Sequence, residues 1–300
     1  MIIPSIPRDY LETAARGLKI QVEFIEKDYW TINLLKRVLM IHPDLVFKGG
    51  TSLSKCHHII DRFSEDIDIS LRKPHYSVGE RRKIVHGIRD LISLSGLELR
   101  NTDQIRSKRV FNRMLCSFPS FFPEGSMDKT VILELANQTP SFPVETKAVQ
   151  TFVGEYLAKE NHQDLLAKFE LEPFEVSVQK LERTFVDKVF AICDYSFTGK
   201  IRRQSRHIYD LQRINSEIAK DDSLISLFLE VRDYRRRLDS CPSAKEGVRL
   251  SEILKGVFSS KLYKDDYDKM TSPLLYRPLS YDEAATILLE ISSFLESAGL

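Results

Sequence analysis

The chain has 300 residues, 42% hydrophobic and 29% charged, and a formal net charge of +1. These proportions are those of a globular chain and exclude a disordered one, and the length suits about two domains at roughly 150 residues each. The four scattered cysteines, Cys56, Cys116, Cys193 and Cys241, form no CxxC pair, which argues against a zinc site or a disulfide framework.

The N-terminus, MIIPSIPRDYLETAARG, has no basic region followed by a long apolar run, so no signal peptide is expected. No stretch approaches 18 uninterrupted apolar residues, so no transmembrane helix is expected either, and with the reduced cysteines a cytoplasmic protein is predicted. Residues 11 to 41 place apolar side chains every three or four positions and predict a helix, closed by His42-Pro43-Asp44. Leu45-Val46-Phe47 predicts a short strand stopped by Gly49-Gly50. A helix is then expected from about Ser52 to Arg62, with Leu53, Cys56, Ile59, Ile60 and Phe63 as its apolar stripe. Asp66 to Leu71 predicts the next strand, and Val78 to Ser95 an amphipathic helix. Residues 97 to 138 suggest sheet with a turn around Pro123-Glu124-Gly125-Ser126. The character changes at Pro140 to Pro143, and beyond Val153 the patterns are mostly helical, interrupted by FEVSV (Phe174 to Val178). Ser280-Tyr281-Asp282-Glu283 has capping-box spacing ahead of the last helix. The expected fold class is α/β: a mixed sheet with flanking helices over 1–152, then a mainly helical domain over 153–300.

Side chains two apart on a strand share a side. In SEDIDISL this puts Ser64, Asp66, Asp68 and Ser70 on one face and Ile67, Ile69 and Leu71 on the other. At about 3.3 Å per residue the two aspartates sit roughly 6–7 Å apart. Their repulsion is about 2–3 kcal/mol at an effective dielectric near 20, and a divalent cation offsets it. Mg²⁺ typically binds one or two carboxylates plus substrate phosphates. Gly49-Gly50, leading from strand to helix, lets a phosphate approach the backbone. The run matches neither GxxxxGK[ST] nor GxGxxG. Alone, Gly-Gly-Thr-Ser is compatible with a tight connection and Asp-x-Asp with a solvent-facing edge. Their order, strand, Gly-Gly, helix, then strand with Asp-x-Asp, points to a triphosphate and its metals.

That order resembles the core of the nucleotidyltransferase fold. KGGTSLSK (Lys48 to Lys55) followed by RFSEDIDISL (Arg62 to Leu71) more closely resembles the AbiEii/AbiGii-type toxin nucleotidyltransferases, which include the MenT toxins. EKDYW (Glu26 to Trp30) upstream, and LERTFVDKVFAI (Leu181 to Ile192) and RHIYDL (Arg206 to Leu211) downstream, carry the same resemblance. The matches span roughly the first 210 residues, and residues 215 to 300 carry no motif. The resemblance implies Gly49, Gly50, Thr51, Ser52, Lys55 and Ser64 at the nucleotide, and Asp66 and Asp68 as metal ligands for Mg²⁺ or Mn²⁺. It implies that Lys188 and Asp210 complete the site from the helical half. The wider superfamily adds a third acid on a later strand. Glu134 in TVILELAN has that setting, and an exposed acid on an edge strand is the competing reading. On a helical wheel Leu181, Phe185, Lys188 and Ile192 share one face; a lysine there either snorkels to water or pairs with an anion. His207 has a structural reading, Trp30 a packing role, and the charges of EKDYW the role of fixing the first helix against the core.

The implied reaction transfers a nucleotide from an NTP to an acceptor hydroxyl and releases pyrophosphate. The family implies an RNA acceptor, notably the tRNA 3′ end, a block of translation, and a cognate antitoxin from the same operon in a toxin–antitoxin or abortive-infection system. From Arg72 to Arg113 there are eleven Lys/Arg against four Asp/Glu, from Lys200 to Arg213 five against one, and Arg232 with Arg235-Arg236-Arg237 forms a third cluster. Three such runs favour a polyanion over solvated helix faces. Two rivals remain: transfer to a small molecule or a protein, and an NTP-binding regulator that transfers nothing.

Overall fold

A computed structural model describes residues 2–72, 76–106, 109–125, 127–136 and 139–300. Ser126 of the expected turn, Asn137 at the end of the expected sheet region, and Lys73 and Lys108 of the first basic run lie outside the described residues. The chain divides into two compact units, Met1–His57 with Ser64–Gln179, and His58–Phe63 with Lys180–Leu300.

The first unit contains helices α1 (Arg8–Leu18), α2 (Val22–Ile41), α3 (Gly49–Lys55), α4 (Val78–Leu94), α5 (Phe152–Lys159) and α6 (Gln163–Lys168). Its strands are β1 (Leu45–Lys48), β2 (Asp66–Leu71), β3 (Glu98–Leu99), β4 (Phe111–Ser117), β5 (Thr130–Ala136), β6 (Val144–Val149) and β7 (Phe174–Gln179). They form one mixed sheet in the order β3-β4-β5-β2-β1-β7-β6. β2, near the middle, runs antiparallel to β1 and parallel to β5. Ile67, Ile69, Leu71, Val131, Leu133 and Leu135 from this centre join Ile25, Tyr29, Ile32 and Leu35 of α2, and Ile88, Leu91 and Ile92 of α4, in one apolar core.

Three expectations are corrected. The single helix over 11–41 is two, because Lys19 adopts the left-handed conformation (φ 57°) that ends α1, while Gly17 offers no Cβ against the Tyr156 ring. The helix from Ser52 stops at Lys55 instead of Arg62. His58 has φ 54°, which no helix accommodates, and the chain leaves for the second unit there. The domain boundary lies at 179/180 rather than 152/153, because β7 pairs with both β1 and β6 and so extends the sheet past the expected break. Strand β6 was not foreseen: its residues, VETKAV, alternate weakly and follow directly on Pro143.

The second unit is helical: α7 (Leu181–Thr198), α8 (Arg206–Ile214), α9 (Asp222–Arg235), α10 (Leu250–Ser260), a single turn α11 (Lys264–Asp266) and α12 (Tyr281–Ser297). The capping box expected at α12 is present, with Ser280 and Glu283 each accepting from the other's backbone N–H. Phe228 of α9 meets Phe185 and Phe190 of α7 with ring centroids 6.3 and 6.1 Å apart. The residues without a motif thus supply the packing around α7. The short segment His58–Phe63 is stitched into this unit, with Phe63 N–H donating to Leu274 O (2.9 Å) and Tyr276 N–H to Asp61 O (2.8 Å).

Candidate active site

Along β2 burial alternates: Ile67 and Ile69 are buried, whereas Asp66 and Asp68 are half-exposed on the opposite face. The alternation is the one that the period of a strand demands. Register then decides what the aspartates face. Asp68 is opposite Lys48 on β1 and directly beside Glu134 on β5, with neighbouring strands about 4.8 Å apart. Glu134 is therefore on an interior strand, beside Asp68 in the register of β2 and β5. Burial, then the charges of Asp68 and Asp66, push the Glu134 carboxyl up to about 7, while Arg113, 3.5 Å away, works in the other direction. Three carboxyl groups are crowded on one face of the sheet with one half-exposed arginine beside them.

Gly49 closes this face from the β1 side. It has φ +75°, and a Cβ built on it would lie 1.9 Å from Asp68 Oδ2. Glycine is required twice over, by the backbone conformation and by the carboxylate seated against it. Thr51 donates its hydroxyl to Asp66 O (2.5 Å) and pairs with the Ser64 hydroxyl (3.0 Å), tying α3 to the start of β2. Ser52 Oγ donates to Gly49 O (2.8 Å). The hydroxyls of Thr51, Ser52 and Ser64 are thus engaged within the protein. Lys55 departs furthest from expectation. Its ammonium is 2.8 Å from Glu155 and 3.4 Å from Asp28 and sits 3.6 Å above the Phe152 ring, and the residue is only 2% exposed. It is a buried structural cation, not a group presented to a nucleotide.

Lys188 and Asp210 come together in the second unit. Lys188 Nζ is 2.6 Å from Asp210 Oδ2, and Arg62 holds both carboxylate oxygens through Nε (2.7 Å) and Nη2 (2.8 Å). Lys188 is therefore paired with an anion, and that anion is Asp210. Burial would raise the Asp210 carboxyl, but Arg62 and Lys188 overcome it and hold the group well below the usual carboxylate range. Burial also lowers the Lys188 ammonium, only partly opposed by Asp210. Two cations on one anion leave the cluster with a net +1. The sequence reading missed Arg62, although it lies within the RFSEDIDISL run; only its distance in sequence from Asp210 hid it. His207 stacks on Tyr195 and is held neutral, its imidazole pushed far down first by burial and then by Lys188, in keeping with a structural role. Trp30 stacks on Phe118 with ring centroids 5.8 Å apart.

Of the basic runs, Arg82, Lys83, Arg100, Arg106, Arg109 and Arg113 are exposed, as are Lys200 and Arg202. The third cluster is partly internal: Arg235 pairs with Asp194 (2.8 Å) and Asp187 (3.7 Å), and Arg232 donates to Val248 O.

Among the described residues no group of three or more His, Cys, Asp or Glu stands in metal-binding geometry. Mg²⁺ needs fewer, since it takes one or two carboxylates plus substrate phosphates. Asp66 and Asp68 offer hard oxygen donors on one face with Asp68 seated against a glycine, and so fit such an ion.

The family model described as nucleotidyl transferase AbiEii toxin, type IV toxin–antitoxin system, matches residues 34–287. No curated protein matches the chain. Among solved structures, the MenT4 nucleotidyltransferase toxin of Mycobacterium tuberculosis H37Rv is similar over 97% of this chain and 90% of that one, at 18% identity and a TM-score of 0.59. At that identity the likeness is one of fold. JHP933 of Helicobacter pylori is similar over 91% and 93% of the two chains, at 16% identity and a TM-score of 0.48. With the family match spanning most of its length, the chain belongs to the AbiEii nucleotidyltransferase toxins of type IV toxin–antitoxin systems.

Proposed function

We propose that this nucleotidyltransferase moves a nucleotide from an NTP to a hydroxyl of an RNA acceptor, the tRNA 3′ end, and so stops translation. The observation that carries the proposal is the register of β2 against β5, which sets Glu134 beside Asp68 on the face closed by Gly49. Asp66 and Asp68 would hold Mg²⁺ or Mn²⁺, and the bound ion would supply charge neutralisation on the phosphates. The triphosphate would lie against the turn that Gly49 makes beside Asp68, and its displaced part leaves as pyrophosphate. Glu134, directly beside Asp68, would either ligate the ion or accept the proton of the attacking hydroxyl. Within the second unit the Lys188 ammonium is held by Asp210, whose carboxylate Arg62 in turn grips. The exposed cations on α4 and around β4 suit an RNA backbone, and such binding weakens steeply with salt. The toxin family also implies a cognate antitoxin.

The test incubates purified protein with Mg²⁺, total tRNA and each α-labelled NTP in turn, beside an Asp66→Ala/Asp68→Ala variant. Label reaching tRNA with the wild type alone is the expected result. Unlabelled tRNA with all four nucleotides would remove the tRNA assignment.

A further inference from the structure

The charged triplet of the EKDYW run is the least explained part of the first unit. Glu26, Lys27 and Asp28 are consecutive on α2, and all three are buried, at 1%, 1% and 5% exposure. Burying one unpaired charge costs several kcal/mol, so each needs a partner. Successive helical residues point about 100° apart, so the three partners lie in three directions. Glu26 accepts from Ser120 Oγ (2.6 Å) and Phe121 N–H (2.7 Å), pinning the β4–β5 connection. Lys27 donates to Glu65 Oε2 (2.6 Å) and to Asp128 O (3.0 Å). Asp28 accepts from Phe152 N–H (2.6 Å) at the start of α5 and faces the Lys55 ammonium at 3.4 Å.

Two of these partners flank the acid face. Glu65 immediately precedes Asp66, and Lys55 is the last residue of the helix that Gly49 begins. Thr51, midway along that helix, is bonded to Ser64 and to Asp66 O. The contacts therefore close on themselves: from α2 through Lys27 to Glu65, along the chain to Ser64, across to Thr51, down α3 to Lys55, and back through Asp28 to α2. We infer that Lys27 and Asp28 are positioning residues, which hold the start of β2 and the end of α3 against one rigid helix and so fix the separation between the Gly49 turn and the Asp66/Asp68 carboxylates. The inference rests on the site proposed above.

Electrostatics makes the alternative distinguishable. Lys27 puts a positive charge on Glu65, the residue just before Asp66. If it acted through charge alone, removing it would tighten cation binding; if it positions, removing it weakens binding despite the more negative surroundings. The experiment measures free Mn²⁺ by electron paramagnetic resonance while the full chain is titrated with Mn²⁺ and each of the four α,β-methylene NTPs in turn. It compares wild type, Lys27→Met, Lys27→Gln, Lys27→Arg and Asp66→Ala/Asp68→Ala, each corrected for its folded fraction. We expect Lys27→Met to weaken Mn²⁺ retention about 10-fold, Lys27→Gln to weaken it less, and Lys27→Arg, which keeps charge and donors, to stay within about 3-fold of wild type. Lys27→Gln carries the same sign test if Lys27→Met does not fold. Unchanged or tighter binding in both neutral variants, with binding lost in the double aspartate variant, overturns the positioning role alone. Wild-type binding in the double aspartate variant overturns the proposed site itself.

Discussion

The β2–β5 acid face and the Asp210 cluster each gather charged groups, and they solve the problem of charge in opposite ways. At Asp210 the carboxylate is fully buried and over-compensated: Arg62 grips it with two hydrogen bonds, Lys188 adds a third, and its carboxyl is held far down. At Asp66, Asp68 and Glu134 like charges are placed side by side, left half-exposed, and one of them is pushed up to about 7. A satisfied buried charge cluster stabilises the fold that contains it, whereas a repelling, accessible one costs stability unless something positive binds. The second pattern is the one on which the proposed site rests.

Removing the acids tests this contrast most strongly. Asp66→Ala/Asp68→Ala should lower nucleotide transfer at least about 10³-fold, while the urea midpoint stays the same or rises because repulsion is relieved. A fall in both would place the acids in the frame. Asp210→Asn should do the opposite to stability, because it leaves two buried cations facing a neutral amide; a loss of about 3–5 kcal/mol is expected by urea unfolding. That loss has a definite pH dependence. The folded-state group is held below its unfolded value near 3.9, so its contribution is present above that value and disappears as pH falls through the folded one. The stability gap between wild type and Asp210→Asn should therefore narrow when unfolding is repeated at progressively lower pH below about 4.

Gly49→Ala brings the comparison to a single atom. The new Cβ meets Asp68 Oδ2 in a left-handed backbone conformation, so about 1–3 kcal/mol of stability should be lost, and transfer per folded molecule should fall about 10- to 100-fold. Unaltered transfer would mean that the position of Asp68 matters little. The smallest effect is expected from Arg113→Ala. Its half-exposed guanidinium lies 3.5 Å from Glu134, and screening by water should keep the change in transfer rate within about 3-fold.

Much of this site was legible beforehand because it is local. The strand period alone put Asp66 and Asp68 on one side, and Gly49-Gly50 marked the end of the strand before them. The capping box of α12 was equally visible, since its partners are three residues apart. Glu134 was not decidable, because only pairing partners reveal whether a strand is at an edge or in the middle of a sheet. Lys55 was misplaced for a related reason. It sits inside the Gly-Gly motif, yet its partners Asp28 and Glu155 come from helices far away in the chain. Arg62 and Asp210 are separated by 148 positions, so nothing along the chain could join them.

What the amino-acid order determined by itself was thus the chemistry available along each short run: two aspartates in phase, a glycine turn ahead of them, a lysine within an apolar helical stripe. Which of those charges stay accessible and which are neutralised in the interior was decided only by the tertiary structure. Exposure and charge pairing depend on register between strands and on contacts across a hundred or more residues, and local periodicity contains neither.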